Sequence, residues 1–216
     1  MHPTTCAQRH ELQEEEKATQ SFCIVKHNKR KAAAMSSAQV RGPHWPGELR
    51  EEFFKKEHDV VHISAKALKI VWGNDSRFWQ WLKISRHESC FKVGAELIQV
   101  NWMEVKGLLD LHKYPLKLHK TYEVVYLIKF KADAFGWHSA PITFEVSTAD
   151  GKKNTSEILE HYKKDDHHWH EICGGEFKLG SSNSLGKIEF SMKEVKTDWW
   201  KGGIIIGGVI IRPKQA

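Results

Sequence analysis

A strict alternation of apolar and polar side chains in the middle of the chain most constrains its fold. Tyr122, Val124, Tyr126, Ile128 and Phe130 share one parity, against Thr121, Glu123, Val125, Leu127 and Lys129 on the other. Successive side chains of a strand point to opposite faces, so a period of two writes one packed and one solvated face into the sequence. Ile142, Phe144 and Val146 alternate in the same way with Thr143, Glu145 and Ser147. Ile188, Phe190 and Met192 do so with Lys187, Glu189, Ser191 and Lys193. The segments Val60–Ile63, Leu68–Trp72, Glu96–Val105, Trp169–Leu179 and Ile204–Arg212 read as further strands, and Asp150-Gly151 as a tight turn between two of them. About seven to nine strands without long amphipathic helices among them predict an all-β chain, an antiparallel sandwich or barrel. No internal repeat of roughly 20–50 residues is visible, which excludes a propeller or solenoid.

The first 45 residues read differently. Glu14, Glu15 and Glu16 form an acidic knot, and Lys26, Lys29, Arg30 and Lys31 a basic one, followed by the small-residue run Ala32 to Ala38. With little to bury, residues 1–45 are expected to be a mobile arm, whose basic knot has the composition of a nuclear address. Pro43, Pro46 and Gly47 mark a junction. Leu49 and Phe53, four apart among charges, predict a short amphipathic helix within Glu48–Glu57, in a linker over residues 46–58. The domain proper then spans residues 59–214.

Several function classes fall away. The longest strongly apolar run, Ile204 to Ile211, is interrupted by Gly207 and Gly208 and falls far short of the ~20 residues of a membrane-spanning helix. Met1 to Gln20 holds no apolar run of signal-peptide length, so a cytoplasmic or nuclear residence is expected. Cys6, Cys23, Cys90 and Cys173 form no C-x-x-C pair and read as free thiols. No G-x-S-x-G elbow, phosphate loop or H-E-x-x-H is present. Asp165 and Asp166, being adjacent, would point to opposite faces of a strand, a poor arrangement for acid–base work on one bond. The chain is therefore read as non-catalytic and without a cofactor. His161, Asp165, Asp166, His167, His168 and His170 are donor types that bind zinc, nickel or copper, but read here as decoration of a loop.

Tryptophan carries the candidate chemistry. There are 9 in the chain, and Trp72, Trp79 and Trp81 fall within ten residues around Gly73-Asn74-Asp75, a turn by composition. Trp79 and Trp81 share strand parity, which would set both rings on one side. An indole face complements the weakly positive C–H face of a pyranose, while Asn74, Asp75 and Arg77 supply acceptors and donors for its hydroxyls. Trp rings also fill sandwich cores, and periodicity alone leaves either use open.

These residues also resemble a known family. Leu68 to Asp75 with Phe78-Trp79 is similar to the start of the phloem protein 2 / Nictaba (tobacco agglutinin) lectin domain. The blocks continue in that family's order through Ala95-Glu96-Leu97, Val100 to Gly107, Thr121 to Tyr126, Gly136-Trp137 with Pro141, Gly175-Glu176-Phe177, Gly186 to Ser191 and Trp200 to Lys214. The resemblance implies a jelly-roll-like sandwich that binds N-acetylglucosamine oligomers, chitin fragments or the cores of N-glycans, with N-glycosylated proteins as partners. It puts the family's two sugar-site tryptophans on Trp72 and Trp79 and a late acidic residue on Glu194 or Glu189. It also implies a homodimer, and the phloem sap beside cytosol and nucleus as a location.

An RNA-binding or protein-interaction role without sugar binding is the alternative. Lys+Arg number 33 against 27 Asp+Glu, a net charge of +6, and Lys113, Lys117 and Lys120 cluster in Leu111–Lys120. Basic charge with exposed aromatics suits single-stranded RNA, although no RNP, KH or GXXG pattern accompanies it.

Overall fold

The computed structural model describes residues 42–85, 87–165, 168–180 and 186–215. The acidic and basic knots of the arm, Cys6, Cys23, Asp166 and His167 lie outside the described residues.

The described chain is an all-β sandwich of two antiparallel sheets. Its strands are β1 (Phe54–Glu57), β2 (Val60–Ser64), β3 (Lys69–Ile70), β4 (Trp79–Lys83), β5 (Val93–Leu97), β6 (Met103–Asp110), β7 (Thr121–Phe135), β8 (Ile142–Thr148), β9 (Gly151–Glu157), β10 (Trp169–Lys178), β11 (Lys187–Glu194) and β12 (Gly202–Pro213). One sheet runs β3-β6-β11-β8-β9. In the other, β12 carries β7 and then β10 along one edge. Its opposite edge is shared by β2, near Gly208 to Ile211, and β5, near Ile204 to Ile206, with β1 and β4 outermost.

The alternation in β7 places Tyr122, Val124, Tyr126, Ile128 and Phe130 in the core between the sheets, none more than 1% exposed. Val125 and Leu127, on the parity that should be solvated, are buried as well. They join Ile84, Phe91 and Ile210 in a second apolar cluster on the outer face of that sheet. The connection between β4 and β5 covers this face, and Phe91 reaches it because Gly208 has no side chain: a Cβ there would stand 2.7 Å from the Phe91 ring. Thus the one break in the central alternation marks where a loop packs on the sheet.

Three expectations change. Glu48–Glu57 is not an α-helix: a single 3-10 turn at Glu51–Phe53 leads into strand β1. Phe54 packs on the core there and stacks on Tyr114, rings 4.9 Å apart, so cross-sheet packing overrides the four-residue spacing. Glu96–Val105 is not one strand, because β5 and β6 belong to different sheets and residues 98–102 cross between them. The ordered domain also starts before residue 46. Trp45 is buried, and its backbone exchanges two 2.9 Å hydrogen bonds with Ile70. Strand β9, exposed along its length, was invisible to any apolar period, and its Lys152 and Lys153 are the charges that discourage pairing at a sheet edge.

Candidate functional site

Four connections meet at one end of the sandwich: residues 71–78, 98–102, 136–141 and 195–201. Backbone hydrogen bonds tie them together. Val71 N–H donates to Glu104 O at 3.0 Å, Ile98 N–H to Phe78 O at 2.8 Å, and Val100 and Lys201 exchange two bonds of 2.9 Å. Phe135, at the end of β7, pairs with Gly202 at the start of β12.

The 71–78 connection is a chain of tight turns. Gly73 N–H donates to Ile70 O, Asp75 N–H to Trp72 O, and Phe78 N–H to Asp75 O. Trp72 sits in the left-handed region, φ 63, a strained state for a bulky residue. Its N–H is taken by His44 Nδ1 at 3.0 Å, and its half-buried ring lies between those of His44 and Phe78 at 4.9 and 5.8 Å. Asn74 donates its side-chain amide to Gly42 O and His44 O, both at 2.8 Å, and so clamps residues 42–44 onto the turn. Gly73 allows that approach, since a Cβ would stand 2.6 Å from Trp45 Cβ. Asp75 accepts from the Arg77 backbone N–H at 3.0 Å and pairs with its guanidinium at 2.7 Å. The Arg77 side-chain bond and then its backbone bond hold the Asp75 carboxyl below the usual carboxylate range. The Arg77 side chain is 77% exposed, leaving donors toward solvent.

The 195–201 connection is organised differently. Glu194 and Lys201 form an ion pair of 2.7 Å, with side chains 3% and 0% exposed. Glu194 also accepts from the backbone N–H groups of Lys196 and Thr197 and from Thr197 Oγ1, at 2.9 to 3.0 Å. Lys201 spends its remaining donors on Trp199 O at 2.7 Å and Asn101 O at 3.4 Å. Burial alone would push the Glu194 carboxyl up. The Lys201 ammonium and the Lys196 and Thr197 donors outweigh it and hold the carboxyl below its ordinary range.

This buried clasp carries Trp199 and Trp200 on its outside. Of the exposed large apolar side chains among the described residues, Trp102, Phe135, Val195, Trp199 and Trp200 all belong to this end. Trp102, Trp199 and Trp200 are 53%, 47% and 48% exposed, and Trp199 meets His138 edge-on at 6.1 Å. They are the residues that sequence reasoning passed over as candidates. A signal was there for Trp199 and Trp200, which follow the polar stretch Lys196-Thr197-Asp198, whereas Trp102 continues the alternation of Ile98 and Val100 against Gln99 and Asn101 and so reads as a strand residue.

The structure thus brings Trp72, Asn74, Asp75, Arg77 and Glu194 to one end, with two corrections. Trp79 is 3% exposed and its ring belongs to the core, so it presents no face to solvent. Parity was right about Trp79 and Trp81 sharing a side, but that side is the inner one: Trp81 packs on Trp45 at 4.9 Å under the Lys66 ammonium. Glu194 is saturated by protein donors and supports the loop from beneath. Glu189, its alternative, lies on the outer face of the five-stranded sheet beside Leu108.

Among the described residues no three His, Cys, Asp or Glu are grouped to hold a metal. His161 instead leans on Tyr162 at 4.0 Å and on Glu157 at 3.4 Å, and His170 meets the Phe130 and Tyr162 rings. Cys90 and Cys173 are free and exposed. Of the basic segment, Lys117 and Lys120 both pair with Asp59 at 3.1 Å.

Fold and site together define a β-sandwich domain with an aromatic, hydrogen-bonded loop end. A family model described as Phloem protein 2 matches residues 58–213, and the chain belongs to the phloem protein 2 family. It is 39% identical to Protein PHLOEM PROTEIN 2-LIKE A2 of Arabidopsis thaliana over 125 residues, 56% of this chain and 60% of that protein. It is 30% identical to a protein named Lectin from Luffa acutangula, covering 74% of this chain and 73% of that one. The chain spans 60% and 64% of the two phloem protein 2-like relatives A2 and A1. Solved structures are more distant. One, TmCBM61 in complex with β-1,4-galactotriose, aligns with 68% of this chain and 87% of its own at 12% identity and a TM-score of 0.36.

Proposed function

We propose that the chain is a lectin that binds N-acetylglucosamine oligomers, chitin fragments or the N-glycan cores of glycoproteins at this loop end. The observation that carries the reading is the exposure of Trp102, Trp199 and Trp200 beside a polar turn, in a family with a relative named as a lectin. An indole face left in water offers a stacking surface for a sugar's C–H face, and the acetamido methyl adds apolar contact. Trp72, half-buried at the same end, adds a further ring. Half-buried Asp75 and exposed Arg77 form a pair open at its guanidinium, whose groups can exchange each other for sugar hydroxyls at small cost. Asn74 and the Glu194–Lys201 clasp act one step back, holding the two loops in place, and Trp79 anchors the first of them in the core.

The test is retention on a chitin column at 0.1 and 1 M salt, with elution by N-acetylglucosamine oligomers. Stacking and neutral hydrogen bonds resist salt, so retention at both and specific elution are expected. Binding that collapses at 1 M salt would point to phosphate-like charge contacts instead, and no retention would sink the chitin reading.

A further inference from the structure

Away from the loop end, a row of side chains crosses the outer face of the five-stranded sheet. Lys69 on β3, Lys106 on β6, Ser191 on β11 and Glu145 on β8 stand side by side in register. They border a groove of about 170 Å³, which Leu49, Leu108 and Glu189 also line. Ser191, 4% exposed, lines the groove, and its Oγ, closed off from solvent, has no hydrogen-bond partner among the described residues. Buried hydroxyls are nearly always bonded, and a turn about the Ser191 χ1 would bring this one to a ligand group in the groove.

The walls select the ligand's chemistry. Both signs of charge stand on each side, Lys69 and the Lys106–Glu104 pair (2.9 Å) on β3 and β6, Glu189 and the Glu145–Lys193 pair (3.0 Å) on β8 and β11, and Leu49 and Leu108 add aliphatic surface. A neutral ligand whose polar groups both donate and accept fits both walls. A pyranose suits both, because each hydroxyl donates to a carboxylate and accepts from an ammonium. Lys152 and Lys193 already compensate Glu145, at 2.7 and 3.0 Å, whereas neither Lys69 nor Glu189 is ion-paired among the described residues. Pockets for drug-sized ligands run to roughly 300–1,000 Å³, so a space this small matches one sugar ring.

We propose that this groove is a second saccharide subsite, taking one pyranose unit of an N-acetylglucosamine oligomer, with Ser191 Oγ bonded to a ring substituent. It rests on the carbohydrate reading above and makes one chain bivalent for glycans on the same target.

The test is an amide and indole NMR titration of the full chain with N,N′,N″-triacetylchitotriose. The backbone amides of Gly107 and Phe190 report on the groove, and the Trp102 indole N–H on the loop end. Both sets should shift and saturate. Trp199→Ala should remove only the loop-end response. Leu49→Asp, at an exposed position, and Ser191→Val should each weaken only the groove response, the second by about tenfold for the lost hydrogen bond. Thermal melts check that both variants fold. A saturating loop end with silent groove amides overturns the subsite and leaves the lectin reading intact. Groove shifts that vanish with Trp199→Ala also overturn it, since they would report one site. Silence at both ends fails both readings.

Discussion

The two loops that build the sandwich end solve one problem in opposite ways. Each is organised by a carboxylate that accepts from the backbone of its own turn, one N–H at Asp75 and two at Glu194, and pairs with a cation further along the loop. In the first loop the pair is Asp75 with Arg77, whose guanidinium lies in solvent. In the second it is Glu194 with Lys201, both desolvated. An exposed pair contributes little and rearranges readily, while a buried pair leaves a costly orphan charge when broken. The same motif is therefore exchangeable machinery in one loop and a structural rivet in the other.

Removing one half of the rivet should have the largest effect. Lys201→Met strands a buried carboxylate and should cost about 3–5 kcal/mol in urea unfolding. The double variant with Glu194→Leu should recover part of it, and a single-variant cost below ~1 kcal/mol would show that the pair is hydrated. Trp79→Ala, at the foot of the first loop, should also cost about 3–5 kcal/mol. Trp199→Ala on the second should stay within ~0.5 kcal/mol while chitin retention drops. Equal destabilisation by both would erase the distinction between core ring and platform.

A third measurement uses acid. The folded-state pKa of Glu194 lies below its ordinary value, so its contribution is complete above the ordinary carboxylate range and is lost as pH falls through the lowered folded value. The melting midpoint should fall over that acidic window, and Glu194→Gln should flatten the slope there. An unchanged slope would assign acid sensitivity to other carboxylates. The smallest effect is expected at the exposed pair. Asp75→Asn should leave the melting midpoint in place while lowering chitotriose affinity about two- to tenfold, the worth of one hydrogen bond.

Much of this is legible in the amino-acid sequence alone. The strands β7, β8 and β11 follow their apolar periods closely, because a two-faced strand records its surroundings in its parity, while β12, buried on both faces, reads as a continuous apolar run. The turns at Asp150-Gly151 and Gly73-Asn74-Asp75 were equally plain, although the strand expected over Leu68–Trp72 ends at Ile70. Less legible was everything that depends on contact between distant segments. Leu49 and Phe53 carry a helical spacing, yet Phe54 stacks on Tyr114 in a strand. Trp79 and Trp199 are chemically identical, yet one lines the core and the other lies half in water.

The amino-acid sequence by itself determined the all-β class, the family and the cluster of turn residues around Asn74. Each of these is written in short-range order, where a side chain answers to the period of its own strand or turn. Only the tertiary structure decided which tryptophans face solvent, that Glu194 is consumed by Lys201, and that residues 42–45 belong to the domain. Those outcomes depend on which segments cover one another, and cover is a property of the packed sheets, not of any stretch of chain.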